Sequence, residues 1–244
     1  MTRDRAARRP IGSPSAAAGQ EPGLSPVSAW LTGLQFDWSG VTHGMRQRQV
    51  AEHETLFLEG QSADTVYVVE QGRIRLSAFS YDGKERHLMI IGPNGLVGDC
   101  GLFSSDRYLV SAVAAAETTV STVPMSNMLQ AVKQQPQLLH QCHQLSNMRF
   151  RVMLRHLALH GSNSARRRVC HHLEDLLGSY GVEHPDGMAI SLTFTQQEMG
   201  CICGLSRVSV SQIICQLERE QILARDGRLV VIRDAKRLAQ MSRA

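Results

Sequence analysis

The sequence predicts an α+β chain: an antiparallel β-roll, then a long helix, then a C-terminal helix-turn-helix with a β-hairpin wing. Three observations carry this expectation. From His43 to about Pro124, short β-prone runs alternate with Gly-bearing turns. From Pro136, apolar residues recur four and three apart over about three heptads. From Thr195, two short helical patterns flank Gly204, and beyond them two β-prone runs flank Asp226-Gly227, a strong hairpin signal.

Residues 1–26 are rich in Arg, Pro, Ala, Gly and Ser, have no apolar periodicity, and are expected to form a disordered tail. Trp30, Leu31, Leu34 and Phe36 suggest a short helix or turn docked on the segment after it. Residues 27–135 are assigned to the roll. Its runs include 65–69, 74–79 and 87–91, and one of its tight turns is Tyr81-Asp82-Gly83-Lys84. Residues 136–161 form a dimerisation helix and hinge. Leu138, Cys142, Leu145, Arg149, Val152, His156 and Leu159 make a mixed a/d seam, expected to face a parallel partner helix. The alternative is packing of the same stripe against the chain's own roll. Gly161-Ser162-Asn163-Ser164 reads as the hinge, and residues 165–177 as a further helix.

Residues 162–244 form the last domain. Thr195 caps a helix, and Glu198 three residues on completes a capping box. Gly204 stands where that helix must stop and turn, and Ser206 caps the next. Val210, Ile213, Ile214 and Leu217 give the second helix one apolar face. Ser206, Arg207, Ser209 and Gln212 lie on or near its outward N-terminal end, a suitable set for a helix entering a DNA major groove. Without the wing, the same pattern fits an ordinary helical hairpin. Arg225 and Arg228 flank the wing tip, where they meet phosphates or remain solvated charges.

Composition narrows the classes. A net charge of +4 over 244 residues is compatible with DNA binding without demanding it. Aromatic residues make up only 5%, too few for base-stacking platforms of the RNA-binding kind. There is no apolar run long enough to span a membrane and no secretory h-region, so no membrane partner and a cytoplasmic location are expected. Cys100, Cys142, Cys170, Cys201, Cys203 and Cys215 lack zinc spacing and are expected as free, mostly buried thiols. The pairs His140/His143 and His156/His160 lack an acidic or Cys partner, so no metal site is assigned. A metal-dependent enzyme built on the roll needs a His-x-His and Glu set, which the roll lacks; no enzyme activity or catalytic residue is expected. A purely ligand-binding module with a structural helical tail is the other rival, and the Gly-Leu-Ser-Arg turn with its wing argues against it.

Two stretches resemble the cAMP receptor protein/FNR (Crp/Fnr) family of bacterial transcription regulators. Gly95-Leu96-Val97-Gly98-Asp99-Cys100-Gly101-Leu102-Phe103 is similar to the family's phosphate cassette, and Gly204-Leu205-Ser206-Arg207 through Leu217-Glu218-Arg219-Glu220 to its recognition helix. The resemblance covers about residues 43 to 233. It implies a homodimer on palindromic double-stranded DNA, working with RNA polymerase and controlled by an effector in the roll. It assigns base reading to Arg207, with a bidentate contact to guanine, and to Gln212. Val208 meets a thymine methyl, and Thr195, Gln196, Ser206 and Ser209 meet phosphates, as Arg228 does from the wing.

The departures define the member. The effector pocket implied by the resemblance comprises Gly98, Asp99, Cys100, Val110, Ser111, Met153 and Leu154. Asp99 replaces the ribose-binding Glu. Val110-Ser111 falls where cyclic-nucleotide binders carry Arg-Ser, and Arg107 is three residues from that place. Met153-Leu154 replaces the adenine-reading Thr-Ser pair. The effector is therefore expected not to be cAMP, and its identity is open; a cyclic-nucleotide-dependent regulator with an altered pocket is one alternative. No Cys precedes Cys100, which argues against an iron–sulfur sensor. His87 and Cys100 are the available axial ligands for a haem-based alternative, and Cys100 the candidate for thiol-based redox sensing.

Overall fold

The computed structural model describes residues 28–79, 85–102, 106–160 (side chains to 157) and 164–243. The expectations for the tail, the Tyr81–Lys84 turn, Phe103, the side chain of Leu159 and the hinge residues 161–163 lie outside the described residues.

In chain order the elements are β1 (Trp30–Leu31), α1 (Ser39–Thr42), β2 (Arg46–Val50), β3 (Thr55–Phe57), β4 (Thr65–Gln71), β5 (Ile74–Phe79), β6 (Glu85–Ile91) and β7 (Leu96–Val97). A 3-10 turn (Asp99–Leu102) precedes β8 (Ser111–Ala114) and β9 (Thr118–Pro124). Then come α2 (Met125–Gln134), α3 (Pro136–His160), α4 (Ala165–Tyr180), β10 (Gly181–His184), β11 (Gly187–Ile190), α5 (Gln196–Cys203), α6 (Arg207–Arg219), β12 (Leu223–Asp226), β13 (Leu229–Ile232) and α7 (Ala235–Arg243).

Two sheets, ordered β1-β6-β5-β8-β3 and β2-β9-β4-β7, form the roll; a third, β10-β11-β13-β12, belongs to the C-terminal domain. All roll pairings are antiparallel except β1 with β6. The short helix or turn expected at Trp30 is thus a two-residue parallel strand. The expected docking is real: Ile90 N–H donates to Ala29 O at 2.8 Å and Gly92 N–H to Leu31 O at 2.9 Å. The β4–β5 turn requires Gly72, because φ is +82° and a Cβ there would lie 2.3 Å from the Glu117 carbonyl.

Helix α3 carries two apolar stripes. Leu138, Cys142, Leu145 and Val152 are buried against the chain's own fold, with His156. Arg149, on the same stripe, reaches into the roll. The stripe that faces solvent holds Leu139, Phe150, Leu154 and Leu157, the last 73% exposed. The partner seam expected from the sequence is therefore the face turned inward. The physical reason is that the polar members of that stripe find their partners inside the same chain. Two stripes one residue apart share nearly the same period, and composition alone does not say which of them turns inward.

Helix α4 begins at an N-cap, Ser164, which accepts from Arg167 N–H at 3.3 Å. Arg155 of α3 pairs with the buried Asp175 of α4 at 2.9 Å, and the rings of His156 and His172 meet edge-on at 5.6 Å. These contacts tie the long helix to the last domain. Among the described residues no single helix is long and apolar enough to cross a membrane.

Candidate nucleic-acid interface and effector region

The helix-turn-helix is α5 and α6, which meet at 106°. The capping box is complete. Thr195 Oγ1 accepts from Glu198 N–H at 3.0 Å, and a Glu198 carboxylate oxygen accepts from Thr195 N–H at 2.6 Å. Gly204 ends α5 in the left-handed region (φ +65°, ψ +40°), as the turn requires. Gly200 carries no signal in the sequence; a Cβ there would lie 2.7 Å from the Leu205 carbonyl, so the close approach of the two helices depends on it.

Ser206 Oγ accepts from Ser209 N–H at 3.0 Å and lies 2.8 Å from Ser209 Oγ. The cap and the outward hydroxyl pair thus define the start of α6. Val210, Ile213, Ile214 and Leu217 are buried. Arg207, Val208 and Gln212 are exposed, Val208 to 65%. Burial of one face therefore turns these three outward together. Thr195 and Ser206 are also exposed, and Gln196 is half-buried.

In the wing, Arg228 is exposed beside Gly227, which has φ +58°. Arg225 is instead tied to Glu218 of α6 at 2.9 Å, so it braces the wing against the recognition helix. His184 of the β10–β11 hairpin lies 3.3 Å from Asp226 and fixes the wing tip from the other side.

The cassette is arranged differently. Gly98 has φ +85°, and a Cβ there would lie 2.9 Å from the Thr65 carbonyl. Asp99 is 5% exposed and accepts two hydrogen bonds from Arg149 Nη1 at 2.8 and 2.9 Å; Arg149 also donates to the Leu96 carbonyl. Ser111 Oγ accepts from Glu59 N–H at 3.0 Å. Arg107 Nη1 donates to the Gly60 carbonyl at 2.7 Å. Val110 is half-buried and packs on the core. The Cys100 thiol is pushed up by burial and by the adjacent Asp99 carboxylate, which disfavours the reactive thiolate.

The two α3 residues of the pocket part company. Leu154 lies on the solvent-facing stripe. Met153 lines a cavity of about 330 Å³ with Leu88, His87, His156, Cys201 and Ile202. That cavity is bounded by β6, α3 and α5, so it joins the roll to the helix-turn-helix. Burial pushes the His87 imidazole down, the Arg75 charge acts in the same sense, and the Glu85 carboxylate opposes them. Among the described residues there is no cluster of three His, Cys, Asp or Glu able to hold a metal.

A β-roll joined by a long helix to a winged helix-turn-helix defines a class of transcription regulators with an effector domain and a DNA reader. Two family models match in that order. The cyclic nucleotide-binding domain covers residues 47–135, and the Crp-like helix-turn-helix domain covers residues 167–241. The chain belongs to the Crp/Fnr family of transcription regulators. It is 27% identical over 191 residues to the anaerobic regulatory protein of Bacillus subtilis, covering 76% of this chain and 79% of that relative. It is 24% identical over 189 residues to a CRP-like cAMP-activated global transcriptional regulator of Mycobacterium tuberculosis, covering 78% and 84%. The fold is shared with a CooA mutant from Carboxydothermus hydrogenoformans (TM-score 0.75, 20% identity, 88% of this chain and 99% of that one). It is also shared with FixK2 from Bradyrhizobium japonicum (TM-score 0.69, 24% identity, 82% and 98%).

Proposed function

We propose that this chain is a homodimeric, sequence-specific DNA-binding regulator that is not an enzyme, acts in the cytoplasm with RNA polymerase, and answers to an effector other than cyclic AMP. The observation that carries the reading is the contrast in availability of polar groups. Arg207, Gln212 and Arg228 stand exposed on the reader, while Asp99 is already engaged by Arg149. Arg207 reads a guanine and Gln212 a second base, Val208 meets a thymine methyl, and Thr195, Gln196, Ser206, Ser209 and Arg228 hold phosphates.

The dimer forms along the outer stripe of α3, Leu139, Phe150, Leu154 and Leu157, which otherwise leaves large apolar side chains in water. Two readers then meet half-sites about 34 Å apart. The effector has no phosphate contact at Val110, so it is less anionic and more apolar than a cyclic nucleotide. Selection of bound sequences from a random duplex pool tests the reading. A palindromic motif that loses one specified base pair per half-site in Arg207→Ala is the expected result; an unchanged motif rejects the recognition helix. Leu154→Glu should convert the dimer to monomer in sedimentation, and an unchanged dimer rejects the outer stripe.

A further inference from the structure

The reader is docked on its own roll by contacts that neither its cap nor its DNA face requires. Arg73, in the β4–β5 turn, places Nη2 3.3 Å from Glu198 Oε1 and donates from Nη1 to the Thr193 carbonyl at 2.8 Å. The pair is largely shielded, at 20% and 8% side-chain exposure. The other Glu198 oxygen closes the capping box. One carboxylate therefore serves both the start of α5 and the junction with the roll. The turn that presents Arg73 is itself tied down: Arg73 N–H donates to Thr118 Oγ1 at 3.0 Å, beside the close approach that demands Gly72.

A second anchor lies beside the first. The Tyr180 hydroxyl, at the end of α4, accepts from Thr32 N–H at 3.1 Å and donates to the Trp30 carbonyl. The Trp30 ring sits 5.8 Å from that of Phe194. This docking leaves Thr195, Ser206, Arg207, Val208, Gln212 and Arg228 exposed. It fixes the direction of the reading face without covering it.

We propose that Arg73 is a positioning residue for DNA recognition: through Glu198 it holds each reader in one orientation on its roll, so that both recognition helices are preset for a two-half-site operator. A reader free to swing loses that freedom when the second half-site is engaged, and the loss weakens two-headed binding while sparing one-headed binding. The inference rests on the DNA-binding reading above.

The test uses the full-length dimer, the selected palindrome and a duplex with one half-site scrambled. Arg73→Ala should lower palindrome affinity about tenfold and leave affinity for the single half-site unchanged. Glu198→Gln keeps a capping-box acceptor but removes the charge, so it should lower palindrome affinity by a similar factor. The double variant should be no weaker than either single one, and Arg73→Lys should recover part of the loss. Equal losses on both duplexes, additive losses in the double variant, or tighter palindrome binding by Arg73→Ala would each overturn the proposal. A measurement without DNA separates it from the functional reading. Hydrogen exchange should rise at β1 and the first turn of α5 in Arg73→Ala, and unchanged exchange there overturns the proposal whatever the protein binds. Failure of the wild type to prefer the palindrome counts against the functional reading instead.

Discussion

The cassette around Gly98–Ser111 and the reader around Thr195–Gln212 both carry short motifs with the spacing of one family, and they use their polar groups in opposite ways. In the reader, side chains that must bond locally do so: Thr195, Glu198 and Ser206 close caps. The residues beyond them remain outward. In the cassette, Asp99 is consumed by Arg149 and Ser111 by the Glu59 amide, while Val110 has nothing to offer an anion. A motif thus marks where a backbone turns, and the partners of its side chains decide what it can bind.

The contrast can be broken or sharpened by measurement. The largest effect should come from Arg149→Met, which leaves the buried Asp99 carboxylate unpaired; we expect about 3–5 kcal/mol of lost stability in chemical denaturation. A loss below about 1 kcal/mol would mean that Asp99 is free to serve a ligand after all. Cyclic AMP should bind weakly or not at all in calorimetric titration, because an uncompensated phosphate beside Val110 costs about 2–5 kcal/mol. Micromolar affinity with cAMP-dependent DNA binding would erase the difference between the two regions.

The junction between α3 and α4 gives the next effect. Burial, helped by the Arg155 and Arg167 charges, pushes His171 down to about 4 from 6.5. The stability gained from keeping it neutral is complete above pH 6.5 and is lost as pH falls toward 4. Asp175 runs the other way. Burial raises it to about 6 from 3.8 against the pull of Arg155, so its contribution is complete below pH 3.8 and lost as pH rises through 6. Between pH 6 and 4 the two contributions oppose each other, so His171→Gln should leave the Asp175 contribution uncompensated: stability then rises as pH falls, by about 2–3 kcal/mol relative to the wild type near pH 4 in chemical denaturation. An unaltered profile would place the acid sensitivity elsewhere.

On the reader, Arg207→Ala should cost roughly 1–3 kcal/mol of specific DNA affinity, and Arg228→Ala should weaken all sequences alike and reduce the salt dependence. The smallest effect belongs to the caps. Ser206→Ala should lower thermal stability by about 1 kcal/mol, with the motif preference intact.

The reader is legible in the sequence because its signals are local. A cap, a box, a left-handed glycine and an Asp-Gly turn each act within a few residues, so the sequence places them correctly. The orientation of α3 is not legible. Its two apolar stripes are one residue apart, and the partners that turn one of them inward lie far off in the chain: Asp99 for Arg149, 50 residues earlier, and Asp37 for Gln141, 104 residues earlier. The same holds for Arg73, 125 residues before Glu198 and part of no motif. Gly200 escapes notice because a helix interior gives no local reason for glycine; the Leu205 carbonyl supplies it from the next turn.

Trp30 lends the molecule an optical handle. The chain has two tryptophans, and both are buried, Trp30 completely and Trp38 at 3% exposure. Trp38 donates from its indole to the Asn94 carbonyl within the roll, away from the reader. Trp30 stands against Phe194 of the last domain, so its surroundings change if the two domains part. With Trp38→Phe, the remaining indole becomes a single intrinsic fluorophore whose emission moves to longer wavelength when water reaches the junction. Separation of reader from roll can then be followed in real time, without a label, as DNA or any candidate effector is added.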